Sequence, residues 1–304
     1  MINTDIVLKN LDFVCEDYES FGQNCDVNGF ASIKKIEKRK VYYCIGSTPD
    51  LIDQSIVIIS DREQANSNVN FYILVDNPQL VFYKLMNEIY KNNVYSIADS
   101  SFISNETKLG TNINVDENSV IRANSIGSNV SIGANVVIHD NVMIGDNVTI
   151  SDNTVIGAKG VAWIWDEITG ERVIQPQIGY VEIGNEVFIG SNVTIVRGSV
   201  NESTIIDNNC LISHGSQIGH GVKINHHTHI ANNCTLAGNV VIGSECFIGA
   251  SATFASQVKI ANRTTIGAGA IISKSIENEG STYIGMPARA IPTQNKLNGV
   301  PKRK

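Results

Sequence analysis

The chain is poor in charge, poor in aromatic rings and free of any long apolar run. Only 17% of its 304 residues are charged, and acidic residues outnumber basic ones to leave a net charge of -7. A nucleic-acid partner needs a basic face to hold phosphates, so this balance argues against that class. No apolar stretch approaches the roughly 18 residues of a membrane-spanning helix. The start, Met1 to Asp5, lacks the basic and apolar regions of a signal peptide. These absences predict a cytoplasmic protein with no stable membrane anchor. The cysteines at 15, 25, 44, 210, 234 and 246 form no CxxC pair, which fits reduced thiols and a core role. Basic residues do gather at the end, at Lys302, Arg303 and Lys304, where they read as a solvated tail.

What the chain has in abundance is a rhythm of six. From Ile206 every sixth residue up to Ile272 is large and apolar, twelve positions in all and ten of them Ile. Small residues such as Cys210, Ser216, Val222 and Cys234 recur four positions after each. A period of six is neither that of a helix nor that of a flat strand. It is the signature of a parallel β-helix, in which three hexapeptides make one coil and residues eighteen apart stack at about 4.8 Å. The rhythm begins near Ile103, slips by one residue after Ile121, and runs again from Ile126 to Ile156. It returns at Ile183, and slips again at Val200. Turns rich in Gly, Asn and Asp lie between, residues that tolerate the positive φ of sharp corners.

The first hundred residues read differently. Residues 55–60 (SIVIIS) and 70–76 (NFYILVD) have strand character. Asn77-Pro78 is a good helix start, with Val81, Leu85 and Ile89 on one face. The division expected is an α/β domain over 1–100, a β-helix over 101–275 and a short tail over 276–304, where too few periodic apolar residues remain for long helices. One loop, 158–177, breaks the trunk and carries both tryptophans, Trp163 and Trp165. It either docks its aromatic rings on the trunk or walls a substrate pocket.

Five of the six histidines fall in the unbroken repeat. His214, His220 and His226 each lie two residues after a core Ile, so they stand on three successive corners of one coil and cannot converge within one chain. Stacking by eighteen separates them. His220 has Glu202 before it and Gly238 after it. A carboxylate orients an imidazole, and a glycine N–H can approach a developing oxyanion. The neighbours of His214 (Val196 and Asn232) and of His226 (Asn208 and Ser244) offer no such pairing. Three zinc ligands of the γ-carbonic anhydrase type combine a distant histidine with a close pair, which the spacing 214, 220, 226 does not reproduce.

The stretch QIGHGVKINHHTHIANNCTLAGNVVIG (217–243) resembles the hexapeptide-repeat acyltransferases. The resemblance implies a left-handed helix, a homotrimer, His220 as general base and Gly238 as the oxyanion donor. It is similar in particular to the nucleotide-amino-sugar N-acetyltransferases, which implies that His229 meets the acyl end of an acetyl-CoA or short acyl-CoA donor. YIGMPARAI (283–291) resembles the tail of acetyl-CoA users, with Arg263, Lys274 and Arg289 as candidates for its phosphates. The layout also resembles UDP-3-O-acylglucosamine N-acyltransferase of lipid A synthesis, through VNGFASIKK (27–35), VDNPQLVFYKLM (75–86), PQIG (176–179) and TIVRGS (194–199). That implies a nucleotide-binding N-terminal domain with Tyr43 against the base, a place in surface polysaccharide synthesis, and an alternative donor on acyl carrier protein. The acidic residue that often follows the histidine in sugar acetyltransferases is Gly221 here, which directs attention to Glu202.

Overall fold

The computed structural model describes residues 2–50, 52–90 and 95–292. The basic residues Lys302, Arg303 and Lys304 lie outside them. The chain folds as two compact units, Met1–Asn93 and Val94–Lys304. Among the described residues no helix is long and apolar enough to cross a membrane.

The first unit holds a four-stranded sheet. Strands Val41–Tyr43, Ile56–Ile59 and Phe71–Leu74 run parallel, and Glu19–Gly22 pairs antiparallel with Phe71–Leu74. Helix Pro78–Ile89 starts where the sequence expects it, with the Asn77 side chain accepting from Leu80 N at 3.1 Å. It buries Val81, Phe82 and Leu85, the stripe that a 3.6-residue period dictates. A second helix, Thr4–Leu11, is capped by Asn3 and was not legible from its short pattern.

The second unit is a parallel β-helix. Its short strands form three sheets in chain order, parallel throughout except for the last strand of the third. The first has nine strands, from Phe102–Ile103 to Ile271–Ile272. The second has eight, from Lys108–Leu109 to Lys259–Ile260. The third has ten, from Ile113–Val115 to Arg289–Ile291. The repeating Ile residues fill the axis, almost all of them at 0–4% exposure from Ile121 onward. Each coil offers the next one a set of apolar side chains at the same height, so burial is continuous along the trunk. The small slots lie inside as well. Cys210 Sγ donates to Asn225 O at 3.2 Å and Cys234 Sγ to Gly249 O at 3.3 Å, and burial pushes both thiols up to about 11. They are core residues. Many corners use an Asn at positive φ, such as Asn129 (58°), Asn147 (56°) and Asn233 (57°), since its short polar side chain tolerates that region. The C-terminal residues Thr282–Ile284 and Arg289–Ile291 close the third sheet as an antiparallel pair.

One correction concerns Val200. The reading of a one-residue slip makes it a core position, but Val200 is 47% exposed. The chain passes straight from strand Thr194–Val196 of the first sheet to strand Ser203–Ile206 of the second, with residues 197–202 as one long corner. The other irregularities fall at the same edge. The early slip shortens the first-to-second corner between Val120–Ile121 and Ser125–Ile126, and the break at 158–177 lies between Val155–Ala158 and Tyr180–Ile183. From Ile103 to Ile272 every step from the second sheet to the third, and from the third to the first, is an unbroken hexapeptide.

Candidate active site

The irregular edge between the first and second sheets carries His220, in the corner after strand Gln217–Ile218. His214 stands at the third-to-first edge and His226 at the second-to-third, so the three imidazoles do diverge. Their surroundings differ as much as their directions. His214 Nδ1 accepts from Ser191 N at 2.8 Å, which makes it a structural cap on the coil before. His226 and His227 lie exposed, with their Nδ1 atoms 3.3 Å apart.

His220 is half-buried, and its Nδ1 lies 3.2 Å from Glu202 Oε2. That oxygen also accepts from Ser199 N and Ser199 Oγ, both at 2.8 Å. Burial works to raise the Glu202 carboxyl, but the Ser199 amide and hydroxyl, together with His220, outweigh it and hold the group below its ordinary value. A carboxylate can only accept here. It therefore accepts a hydrogen bond from the Nδ1–H of neutral His220 and leaves Nε2 with its lone pair.

Nε2 faces Gly238, one coil further on. A Cβ built on Gly238 would lie 2.3 Å from it, so the imidazole occupies the space a side chain would need. At the second-to-third edge several coils cap the N–H of this slot with the side chain stacked over it, as in Ser128 by Asp146 (2.6 Å), Asn185 by Asn208 (2.7 Å) and Ser244 by Asn262 (2.9 Å). Among the described residues no acceptor pairs with Gly238 N.

Gly221 completes the corner at φ +64°, a position that many other corners give to Asn. Here a Cβ would lie 2.5 Å from Glu202 Oε1 and 2.0 Å from Asn239 Oδ1. The residue after the base must stay small so that the carboxylate can arrive from the coil before. A cavity of about 400 Å³ opens beside it, lined by Asn201, Glu202, Gly221, Lys223 and Asn239.

The remaining candidates are dispersed. His229 sits on the third sheet, across the prism from the His220 edge, edge-on to Phe247 with ring centroids 5.1 Å apart. Burial lowers its pKa. His220 and His229 can face one site only between two copies of the chain. The loop 158–177 is a hairpin of Trp163–Trp165 and Arg172–Ile174. Its tryptophans pack on each other at 5.1 Å, and the Arg172 guanidinium lies 5.7 Å from the centre of the Trp163 ring. They stay 43% and 59% exposed, so the docking reading is not realised within the chain. Arg263 is engaged by Glu279. Arg289 and Lys274 line a separate cavity of about 500 Å³ with Tyr283. Tyr43 belongs to the first unit, where its ring packs on Phe82 and Tyr83. Among the described residues no three His, Cys, Asp or Glu side chains group to hold a metal. Sequence reasoning missed Ser199, Thr204, Arg197 and Asp140. The signal for Arg197, Ser199 and Thr204 is the surplus of residues between Ile195 and Ile206, which a slip at Val200 disguises; Asp140 has no local signal.

Fold and repeat are similar to those of the bacterial hexapeptide-repeat transferases. A family model of six bacterial transferase hexapeptide repeats matches residues 125–158, 203–238 and 239–274 and passes over the hairpin and the long corner. In sequence the chain is similar to UDP-3-O-acylglucosamine N-acyltransferase of Bordetella avium, 30% identical over 134 residues, which is 43% of this chain and 37% of that one. It is 44% identical to the same enzyme of Hydrogenovibrio crunogenus over 57 residues, 19% of this chain and 16% of that one. The matches thus span well under half of these relatives, and less of this chain than the motif resemblance implies. In structure it is similar to a UDP-N-acetylglucosamine acyltransferase of Bacteroides fragilis (TM-score 0.58, 26% identity, 64% of this chain and 74% of that one). The Campylobacter jejuni enzyme of that name shares the fold, at TM-score 0.56 and 24% identity over 64% of this chain and 74% of its own.

Proposed function

We propose that the chain is an N-acyltransferase. It moves an acetyl or short acyl group from a CoA thioester to the amine of a UDP- or dTDP-linked amino sugar. The observation that carries this reading is the stack of Glu202, His220 and Gly238, with Glu202 Oε2 3.2 Å from His220 Nδ1 and Nε2 in the space that a Cβ on Gly238 would need. His220 Nε2 takes a proton from the amine as its nitrogen attacks the thioester carbonyl. The Gly238 N–H holds the oxyanion of the tetrahedral intermediate. Collapse breaks the carbon–sulfur bond, and the leaving thiolate receives the proton from the imidazolium. Glu202 supports the positive ring between the two transfers.

The working unit is a homotrimer, since His229 serves the acyl end only from a neighbouring copy. Tyr43 receives the nucleotide base, Trp163 and Trp165 flank the acceptor, and Arg289 with Lys274 receives the donor's phosphates. Arg263, held by Glu279, is the weaker contributor. A second reading is N-acylation of a UDP-3-O-acylglucosamine with acyl carrier protein as donor; the names of the sequence relatives favour its acceptor. One screen separates the two. UDP- and dTDP-linked amino sugars are offered with acetyl-CoA, short acyl-CoA and acyl carrier protein thioesters, and free thiol is followed. Turnover with CoA is expected, with a loss of about 10²–10⁴-fold in His220→Ala. Turnover with acyl carrier protein alone replaces the donor, and full turnover in His220→Ala refutes the base assignment.

A further inference from the structure

The corner that delivers Glu202 begins at a buried cation. Arg197 is 2% exposed, and its guanidinium reaches back across two coils of the same edge. Nε donates to Gly157 O at 2.8 Å, and Nη2 donates to Asp140 O at 2.8 Å and to Asp140 Oδ1 at 2.9 Å. A buried guanidinium is tolerated only when its planar fork is filled in this way. Gly157, at φ +82°, has no room for a side chain, since a Cβ would lie 2.7 Å from Val142 Cγ2. Its carbonyl is thus presented to Arg197 by a backbone path that suits glycine.

The far end of the corner is closed by the buried Thr204 hydroxyl, which donates to Val196 O at 2.7 Å and accepts from Gly221 N at 2.9 Å. Between these two anchors the chain folds tightly. A Cβ on Gly198 would lie 1.9 Å from Glu202 O, and Ser199 points both its donors at the Glu202 carboxylate. Among the described residues, the corners of the unbroken hexapeptides at the other two edges use no buried arginine anchor of this kind. Ile195 and Ile206 continue the trunk core on either side of the long corner, so the trunk itself is filled without Arg197.

We infer that Arg197 is a positioning residue: its grip on Asp140 and Gly157 holds corner 197–202 in the conformation that lays Glu202 against His220 Nδ1. The inference rests on the reading of His220 as the base, and it names what keeps that base in its working tautomer. The grip does so at a distance, since Arg197 sits two coils from Asp140 and touches neither His220 nor Gly238.

The test reads the His220 tautomer directly and needs no substrate. The full chain is labelled with ¹⁵N-histidine, and the imidazole nitrogens are recorded at alkaline pH in wild type, Arg197→Lys, Arg197→Met and Glu202→Ala. Wild type is expected to hold His220 with its proton on Nδ1. Glu202→Ala and Arg197→Met are expected to lose that form as the major species, and Arg197→Lys to keep part of it. With an acyl acceptor in hand, kcat falls about 10- to 100-fold in Arg197→Met, as for other outer partners of working histidines, with KM little changed. A folded Arg197→Met that keeps the wild-type tautomer while Glu202→Ala loses it overturns the inference. So does an unchanged tautomer in Glu202→Ala. Neither result touches the base assignment, which stands or falls on turnover in His220→Ala. If Arg197→Met does not fold, Asp140→Ala carries the test, because the Asp140 side chain is 67% exposed. It is expected to shift the tautomer part of the way, and a wild-type tautomer there overturns the inference.

Discussion

Two edges of the β-helix are monotonous and one is not. At the second-to-third and third-to-first edges the hexapeptide repeats without a fault from Ile103 to Ile272, and the corners are held by Asn at positive φ and by side chains that cap the coil below. At the first-to-second edge the chain loses a residue, extrudes a hairpin and lengthens a corner. Histidines in the same slot of the repeat share this contrast. His214 caps Ser191 N, His226 lies exposed beside His227, and His220 is paired with a carboxylate on one side and a bare glycine on the other. A regular solenoid is filled by its core whichever corner is considered. Departures from regularity cost order, and here they accumulate where titratable groups are brought together.

The contrast is broken or sharpened most strongly at Gly238. Ala250 holds the same slot at the third-to-first edge, two residues after Ile248. Gly238→Ala is expected to fold, to displace the His220 imidazole that would lie 2.3 Å from the new Cβ, and to lower kcat by about 10²–10³-fold. Ala250→Gly is expected to leave kcat unchanged. Equal effects of the two changes would mean that the edges do not differ in function.

A smaller effect separates stability from activity. Thr204 and Thr228 are both buried and both bridge two coils: Thr204 links Val196 O to Gly221 N, and Thr228 links Gly243 O (2.7 Å) to Cys246 N (3.1 Å). Replacing either with Val removes a buried hydroxyl that satisfies two backbone groups, at about 1–3 kcal/mol by denaturant unfolding. Only Thr204→Val, at the irregular edge, is expected to lower kcat as well. A loss of kcat in Thr228→Val would make activity a general readout of trunk stability.

Much of this was legible in the residues. Period six dictates the coil, and stacking by eighteen pairs His220 with Gly238 because the repeat between them is faultless. The pairing of His220 with Glu202 holds even though a slip at Val200 misplaces that valine in the core. The step from Ile195 to Ile206 is five residues longer than a hexapeptide, and its surplus lies ahead of Glu202, so the count back from His220 still lands on the carboxylate. The parts that were not legible are held by long-range partners. Arg197 meets Asp140 and Gly157 across the hairpin insertion, a separation that no local period encodes. Helix Thr4–Leu11 is too short for its periodicity to stand out against a single pattern of eight residues.

The smallest effect expected is in the pH dependence of stability, and it too distinguishes the edges. Asp140 is held below its ordinary value chiefly by the hydrogen bond from Arg197. Glu202 is held down by Ser199 and His220 against the burial that would raise it. A carboxyl whose folded pKa is depressed leaves the unfolded chain to bind protons first. Its contribution is therefore full above the unfolded values near 4.5 for Glu202 and 3.8 for Asp140, and it disappears as pH falls through the folded values. The third sheet titrates higher. Burial depresses His229 from 6.5, so the stability that depends on keeping it neutral is present above that pH and is lost on acidification below it. His139, at the irregular edge, is depressed in the same direction by burial and then by Arg197. Glu37, Asp53 and Asp166 are exposed carboxylates that also sit low, so the comparison is a difference between variants. Urea midpoints of wild type and Glu202→Gln, measured from pH 7 downward, are expected to differ at neutral pH and to converge as pH falls through the depressed Glu202 value. His229→Gln is expected to change the curve around pH 6 and to leave the lower limb alone. A gap between wild type and Glu202→Gln that stays constant with pH would mean that the carboxylate serves the edge by shape, and that its charge does not hold the corner.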